Sequence, residues 1–271
     1  MLKKIGSFFI SSLSLTILGL LSILLVVRMF FMPSSMSKLA KTMFNEEVFM
    51  AEELDKYIEK DILIDEMGKF LSDYFKYVGG APGAERPSID GFVDIIKELV
   101  ENYEKETGEE IANDADIEEF YNELESSMDA LLNESFDEDV RIVFEIIYSQ
   151  ALLIGLIGAF VVCILLNYLI RKDWFIVMRH TGIVACFNGS IFVVCGVLVN
   201  YLATRAEEAS DVTMIKCFVE NFYTVGFISL VISTILIVLS VVLKKKNTDL
   251  KSSNNMNNVM NNNMTNNYMG N

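Results

Sequence analysis

The sequence predicts an all-α, polytopic membrane protein with four transmembrane helices and an extracytoplasmic helical bundle inserted between the first and second. Three observations carry that prediction. The 271-residue chain is 52% hydrophobic yet has a formal charge of −15, a pairing that one soluble domain rarely shows, so the two properties belong to different segments. Residues 33–141 hold 30 acidic and 10 basic residues, a net of −20, and the remainder is net +5. Most of that remainder lies in four apolar stretches, roughly 8–32, 142–169, 176–203 and 217–243. Each is long enough to cross about 30 Å of hydrocarbon at ~1.5 Å per helical residue. Inside the acidic segment apolar residues recur at helical spacing, and period-two strand patterns are absent. The predicted organisation is an N-terminal transmembrane anchor (1–32), an acidic extracytoplasmic α-helical domain (33–141), a three-helix transmembrane region (142–246) and a disordered, Asn-rich cytoplasmic tail (247–271).

The first stretch follows "MLKK" and has an apolar core of over 20 residues, beyond the usual ~7 to 15 of a signal peptide. No small-x-small site follows that core at the right place before "RMFFMP", so a retained anchor is expected. Orientation follows from Lys and Arg near the membrane ends. Lys3 and Lys4 precede span 1, Arg171 and Lys172 lie between spans 2 and 3, and Lys244 to Lys246 follow span 4. Four spans put all three clusters on one side, expected to be cytoplasmic, with both termini inside and 33–141 outside a plasma membrane. Cys163, Cys186, Cys195 and Cys217 lie in or at the edge of spans and none lies in 33–141. No disulfide framework is therefore expected there, which fits a bacterial envelope better than a eukaryotic secretory surface.

Four amphipathic helices are expected in the acidic segment. Phe92, Ile95, Ile96, Leu99, Val100 and Tyr103 draw one stripe. Ile117, Phe120, Tyr121, Leu124, Met128, Leu131 and Leu132 draw a second, with Asp116 and Glu119 spaced as a capping box at its start. Leu63, Met67, Phe70, Leu71, Tyr74 and Val78 make a third, ended by "GGAPG". A weaker fourth is Leu39, Met43, Phe44, Val48, Met50 and Leu54. Ser88 is placed to cap the helix after the "GGAPGAERPS" turn. A bundle of this size has a thin core, so the membrane-proximal ends of the spans are expected to contribute. "NDADIEE" (113–119) alternates oxygen ligands but lacks the central Gly and distant Glu of an EF-hand loop, and reads as a capped, solvated helix start.

Charges inside spans cost at least about 2.5 to 3.5 kcal/mol at the membrane centre and less near the interface. Arg28, Glu145 and Glu220 fall at similar depth near the outer ends of spans 1, 2 and 4. Two arrangements fit: separate snorkelling to the interface, or an ion-pair cluster in which one Arg fork holds two carboxylates and locks the helices. A proton path is disfavoured because no charge continues inward. Asn188, in the middle of span 3, is expected to hydrogen-bond to a neighbouring helix. Ser12, Thr16, Gly19 and Ser22 on span 1, with Gly155 and Ala159 on span 2, permit close helix contact. The link "RKDWFIVMRH" carries Trp174 among basic residues and belongs at the headgroup level.

No enzyme is expected. His180 is the only histidine and falls on the inner side, and no cysteine lies outside, which removes an outer Ser-His triad and a His or Cys metal site in the outer domain. No phosphate-binding G-x-x-x-x-G-K-[ST] run occurs. The expected site inventory is therefore no catalytic residue, no cofactor and no metal. A net charge near −20 repels nucleic acid and other polyanions. The expected partners are the lipid bilayer, other membrane proteins and a basic extracellular surface, in a recognition, regulatory or scaffolding role. The topology of one ~100-residue domain between spans 1 and 2, with a short outer loop between spans 3 and 4, resembles the FtsX-type permeases of ABC systems. That resemblance implies a partner ATPase and an outer domain controlling a periplasmic or wall enzyme. The chain departs from the pattern in its N-terminal segment of a few residues and its short "RKDWFIVMRH" link, where an ATPase would dock.

Overall fold

Residues 2–43, 60–110, 112–133, 138–205 and 209–268 are described by a computed structural model, and every regular element among them is a helix. In chain order these are α1 (Leu2–Phe30), α2 (Pro33–Met43), α3 (Lys60–Val78), α4 (Asp90–Thr107), α5 (Asp114–Asn133), α6 (Glu138–Tyr148), α7 (Gln150–Arg171), α8 (Trp174–Ala203) and α9 (Ala209–Tyr268). Four helical segments, Ile5–Phe30, Gln150–Arg171, Trp174–Ala203 and Met214–Thr248, are long and apolar enough to cross a membrane. The chain is a membrane protein on that ground.

Two elements differ from the pattern read along the chain. The apolar stretch 142–169 is not one helix: it breaks at Ser149, between α6 and α7. Neither Pro nor Gly causes the break. Ser149 instead serves both helices: its N–H bonds to Ile146 O at 3.3 Å, and its hydroxyl accepts the Leu152 N–H at 3.2 Å, as an N-cap does. The second difference is α9, which continues past its apolar span through the Asn-rich segment to Tyr268, where composition alone predicts disorder. Once a span has nucleated a helix, each further residue adds a backbone hydrogen bond without a new nucleus.

The chain forms two compact units. The first comprises Met1–Leu21, Leu156–Val193 and Val225–Asn271. Within it α8 and α9 approach closely through glycine. A Cβ placed on Gly189 would lie 2.7 Å from Gly226 O, and one on Gly182 would lie 3.1 Å from Ser233 O. The first is too near for a side chain and the second is tight, so bare backbone at Gly189 sets the closest part of this contact. Near the ends of α1 and α7, Arg171 donates to Asn167 Oδ1 at 2.9 Å and to the Ser7 hydroxyl. Asn167 is buried. The α7–α8 link is tight: Lys172 adopts φ 54, its N–H bonds to Tyr168 O at 2.6 Å, and Asp173 Oδ1 accepts the Phe175 N–H at 2.9 Å. Trp174 stacks on Tyr168 with ring centroids 4.4 Å apart.

The second unit comprises Ser22–Gly155 and Val194–Thr224. Its core gathers the end of α1, α2 and the start of α9: Phe30, Met36, Leu39 and Cys217 are buried together, with Phe31, Leu71, Phe75 and Phe218 against them. Phe30 stacks on Phe218 at 3.9 Å, and Phe31 lies 5.6 Å from Phe75 and 4.9 Å from Phe144. The ends of the apolar helices thus supply aromatic core to the acidic segment. Two serines satisfy the last carbonyls of α1, Ser35 Oγ donating to Met29 O at 2.8 Å and the fully buried Ser72 Oγ to Phe31 O at 2.7 Å. Along the acidic segment α2 packs on α3, α3 on α4, and α4 on α5. Gly68 admits α2 against α3, since a Cβ there would overlap the Ser37 backbone. The third stripe ends at a Schellman turn: Ala81 N–H bonds to Lys76 O and Gly80 N–H to Tyr77 O, with Gly80 at φ 69. Of the weak fourth stripe, Phe44, Val48, Met50 and Leu54 lie outside the described residues.

Candidate functional site

Helices α4 and α5 enclose the candidate recognition site. Val93 on α4 is buried and forms, with Ile117 and Tyr121 on α5, the apolar floor of a groove of about 500 Å³. Asp90, Asp94 and Glu118 supply its rim, opposed by Lys97. The ends are fastened locally. Ser88 Oγ accepts the Asp90 N–H at 3.0 Å at the start of α4, and α4 closes at Gly108, φ 74, whose N–H bonds to Glu104 O. Arg86 ties the chain before α4 to α5, donating to Asp129 at 2.5 Å with Glu125 at 3.7 Å. Glu125, ahead of burial and of Asp90, pushes the Tyr121 hydroxyl at the groove wall above its ordinary pKa.

The start of α5 corrects the predicted capping box. Asn113, three residues earlier than expected, is the cap: its Oδ1 accepts from Ala115 N–H at 2.9 Å and Asp116 N–H at 3.2 Å. Asp116 Oδ2 returns the bond by accepting the Asn113 N–H at 2.9 Å. Asp116 is therefore the third residue of the box and Glu119 lies outside it. An Asn one turn upstream wins because its amide oxygen and the short Asp side chain satisfy three free N–H groups together. The same bonds engage oxygens that the calcium reading of 113–119 left free, and among the described residues no group of three or more His, Cys, Asp or Glu side chains is placed to hold a metal.

Arg28, Glu145 and Glu220 do not meet. Arg28 Nε donates to Ile147 O at 2.5 Å and its Nη2 to Ser149 O at 3.0 Å. The break between α6 and α7 frees the Ile147 carbonyl, at the negative end of the α6 dipole, while Ser149 O also accepts the Leu153 N–H at 3.2 Å as the first carbonyl of α7. A guanidinium fork satisfies both at once, which neither reading of the cluster anticipated. Glu220 pairs with Lys38 of α2 instead. Glu145 is exposed on α6, and its Oε1 lies with the Arg141 side chain beside Gly80. The sequence signal for the first contact was Ser149, the one small polar residue between the apolar runs "IVFEIIY" and "ALLIGLIGAF". Lys38 was hidden by its place in the weak fourth stripe.

Asn188 is 2% exposed on α8 and donates to Ser229 Oγ of α9 at 3.5 Å. On α1, a Cβ at Gly19 would lie 3.8 Å from Asn188 Oδ1, so Gly19 does adjoin this amide. Gly155 and Gly158 on α7 have nothing within 4 Å of a Cβ position. The packing glycines are instead Gly182, Gly189 and Gly196, seven residues apart on α8. That spacing returns each to the same helix face, and it was readable as a heptad seam. All four cysteines are free thiols. No protein-family model, curated protein or solved structure matches the chain.

Proposed function

We propose that the chain is a non-enzymatic, multi-pass protein of a bacterial plasma membrane, with both termini cytoplasmic and residues 33–141 outside. Its spans anchor an acidic helical domain, and the α4–α5 groove takes a basic segment of an extracytoplasmic peptide or protein. The observation that supports this reading is the groove itself, which joins an apolar floor to a rim of Asp90, Asp94 and Glu118 within a segment of net charge −20. An apolar floor gives burial, and an acidic rim selects a Lys- or Arg-bearing ligand and speeds its arrival.

The test is binding of a fluorescent Lys- and Leu-containing peptide to the full-length protein in mild detergent. Binding should weaken steeply as salt rises, because the Debye length falls from ~30 Å at 0.01 M to ~8 Å at physiological strength. Asp90→Asn with Asp94→Asn should lower affinity by about tenfold, and equal binding of an acidic peptide would refute the reading. Copurification addresses the permease alternative: a stoichiometric cytoplasmic ATPase captured with the intact protein would favour transport.

A further inference from the structure

Near one end of the first compact unit, a recess of about 280 Å³ opens between α8 and α9, lined by Phe175, Ile176, Arg179, Val241, Lys244 and Lys245 together with Ser240 and Thr248. Helical spacing explains the convergence. Ile176 and Arg179 are three apart on α8, while Ser240, Lys244 and Thr248, and separately Val241 and Lys245, are four apart on α9, so each set shares a face. No acidic side chain lines the recess, and among the described residues none of its three cations is in an ion pair. Its depth is marked from both helices. One apolar span begins at Trp174 and the other ends at Thr248, so the recess lies where hydrocarbon gives way to headgroups.

We propose that this recess is a binding site for an anionic phospholipid. The phosphodiester lies among Arg179, Lys244 and Lys245, and the acyl chains run along Phe175, Ile176 and Val241. Arg179 offers a planar fork to two phosphate oxygens, the lysines add point charges, and no carboxylate competes. The apolar wall is what distinguishes a lipid from a soluble phosphate: a free anion has no use for Phe175 and Val241. Three cations against one phosphate also favour an anionic lipid over a zwitterionic one, whose own ammonium group they repel. The site needs only the ends of α8 and α9 and is independent of the α4–α5 groove and of which leaflet holds it.

Native mass spectrometry of the full-length protein in mild detergent tests the site, with phosphatidylglycerol, phosphatidylcholine or inorganic phosphate added separately. Phosphatidylglycerol should be retained at one molecule per chain, at least about tenfold more than phosphatidylcholine. Each of Arg179→Gln, Lys244→Gln and Lys245→Gln should lower that retention about fivefold, and Lys246→Gln, outside the recess, should leave it unchanged. Equal retention of the two lipids, or loss equal in Lys246→Gln, would overturn the proposal. Full displacement of phosphatidylglycerol by millimolar inorganic phosphate would also overturn it, by making the ligand a soluble anion. Because a variant that fails to fold loses every ligand, thermal unfolding of the unaltered protein gives a second reading. Phosphatidylglycerol should raise its midpoint and phosphatidylcholine should not, and no difference between them counts against the site.

Discussion

Arg28 shows how a single charge near a membrane edge finds its partner. At the α6–α7 break the Ile147 carbonyl lacks a helical donor, and the guanidinium supplies it at 2.5 Å while adding a second bond to Ser149 O at 3.0 Å. Arg28→Ala should therefore destabilise the protein by about 2–4 kcal/mol, since hydrogen bonds from charged donors contribute about 1.5–3 kcal/mol each and the loss orphans Ile147 O, while Ser149 O keeps the Leu153 N–H. Arg28→Lys should recover about half of that, because an ammonium reproduces the charge but not the fork. Equilibrium unfolding of the full chain in mixed detergent measures both. The carboxylates provide the contrast. Adding Glu145→Gln and Glu220→Gln should not rescue Arg28→Ala, and a rescue would restore the three-residue cluster. Lys38→Gln should cost under about 1 kcal/mol, because its pair with Glu220 is more than half exposed on both sides.

Helices α5 and α8 carry the predictions that belong to elements. Removing the cap of α5 by Asn113→Ala should cost about 1 kcal/mol, whereas Glu119→Gln should change stability by less than about 0.5 kcal/mol. Circular dichroism during denaturant unfolding separates the two, and equal losses would return the capping box to Asp116 and Glu119. For α8, Gly189→Ile would drive a branched side chain into Gly226 O and Leu230 of α9 and should cost about 1–3 kcal/mol or more. Gly155→Ile, on a helix face with nothing within 4 Å, should be nearly neutral. A sensitive Gly155 with a tolerant Gly189 would contradict the packing described for α8 and α9.

At the scale of the molecule, topology and charge are the testable quantities. Single replacements Glu110→Cys and Lys251→Cys, probed with a membrane-impermeant maleimide on intact cells, should label the first and spare the second until the membrane is opened. The reverse pattern would invert the proposed orientation. The four native thiols lie in α7, α8 and α9, with Cys163 and Cys217 buried, so their background should be low. Neutralising the α4–α5 rim should flatten the salt dependence of basic-peptide binding while leaving unfolding in detergent unchanged, which separates recognition from stability.

Four spans, an all-helical fold and the division of charge followed from the sequence alone. Run length, 3.6-residue periodicity and local composition are properties of neighbouring residues, and they survive without knowledge of distant contacts. The stripe ending in "GGAPG" carried its own stop signal, a glycine able to hold φ 69. Partnership was the tertiary structure's decision. Arg28 lies 119 residues from Ile147, Lys38 lies 182 from Glu220, and Asn188 lies 41 from Ser229. Equal predicted depth brought Arg28, Glu145 and Glu220 to the same level but could not say which faces oppose one another. Helix rotation and a one-residue break at Ser149 decide that, and both are set by packing: glycine faces in one unit, stacked phenylalanines in the other.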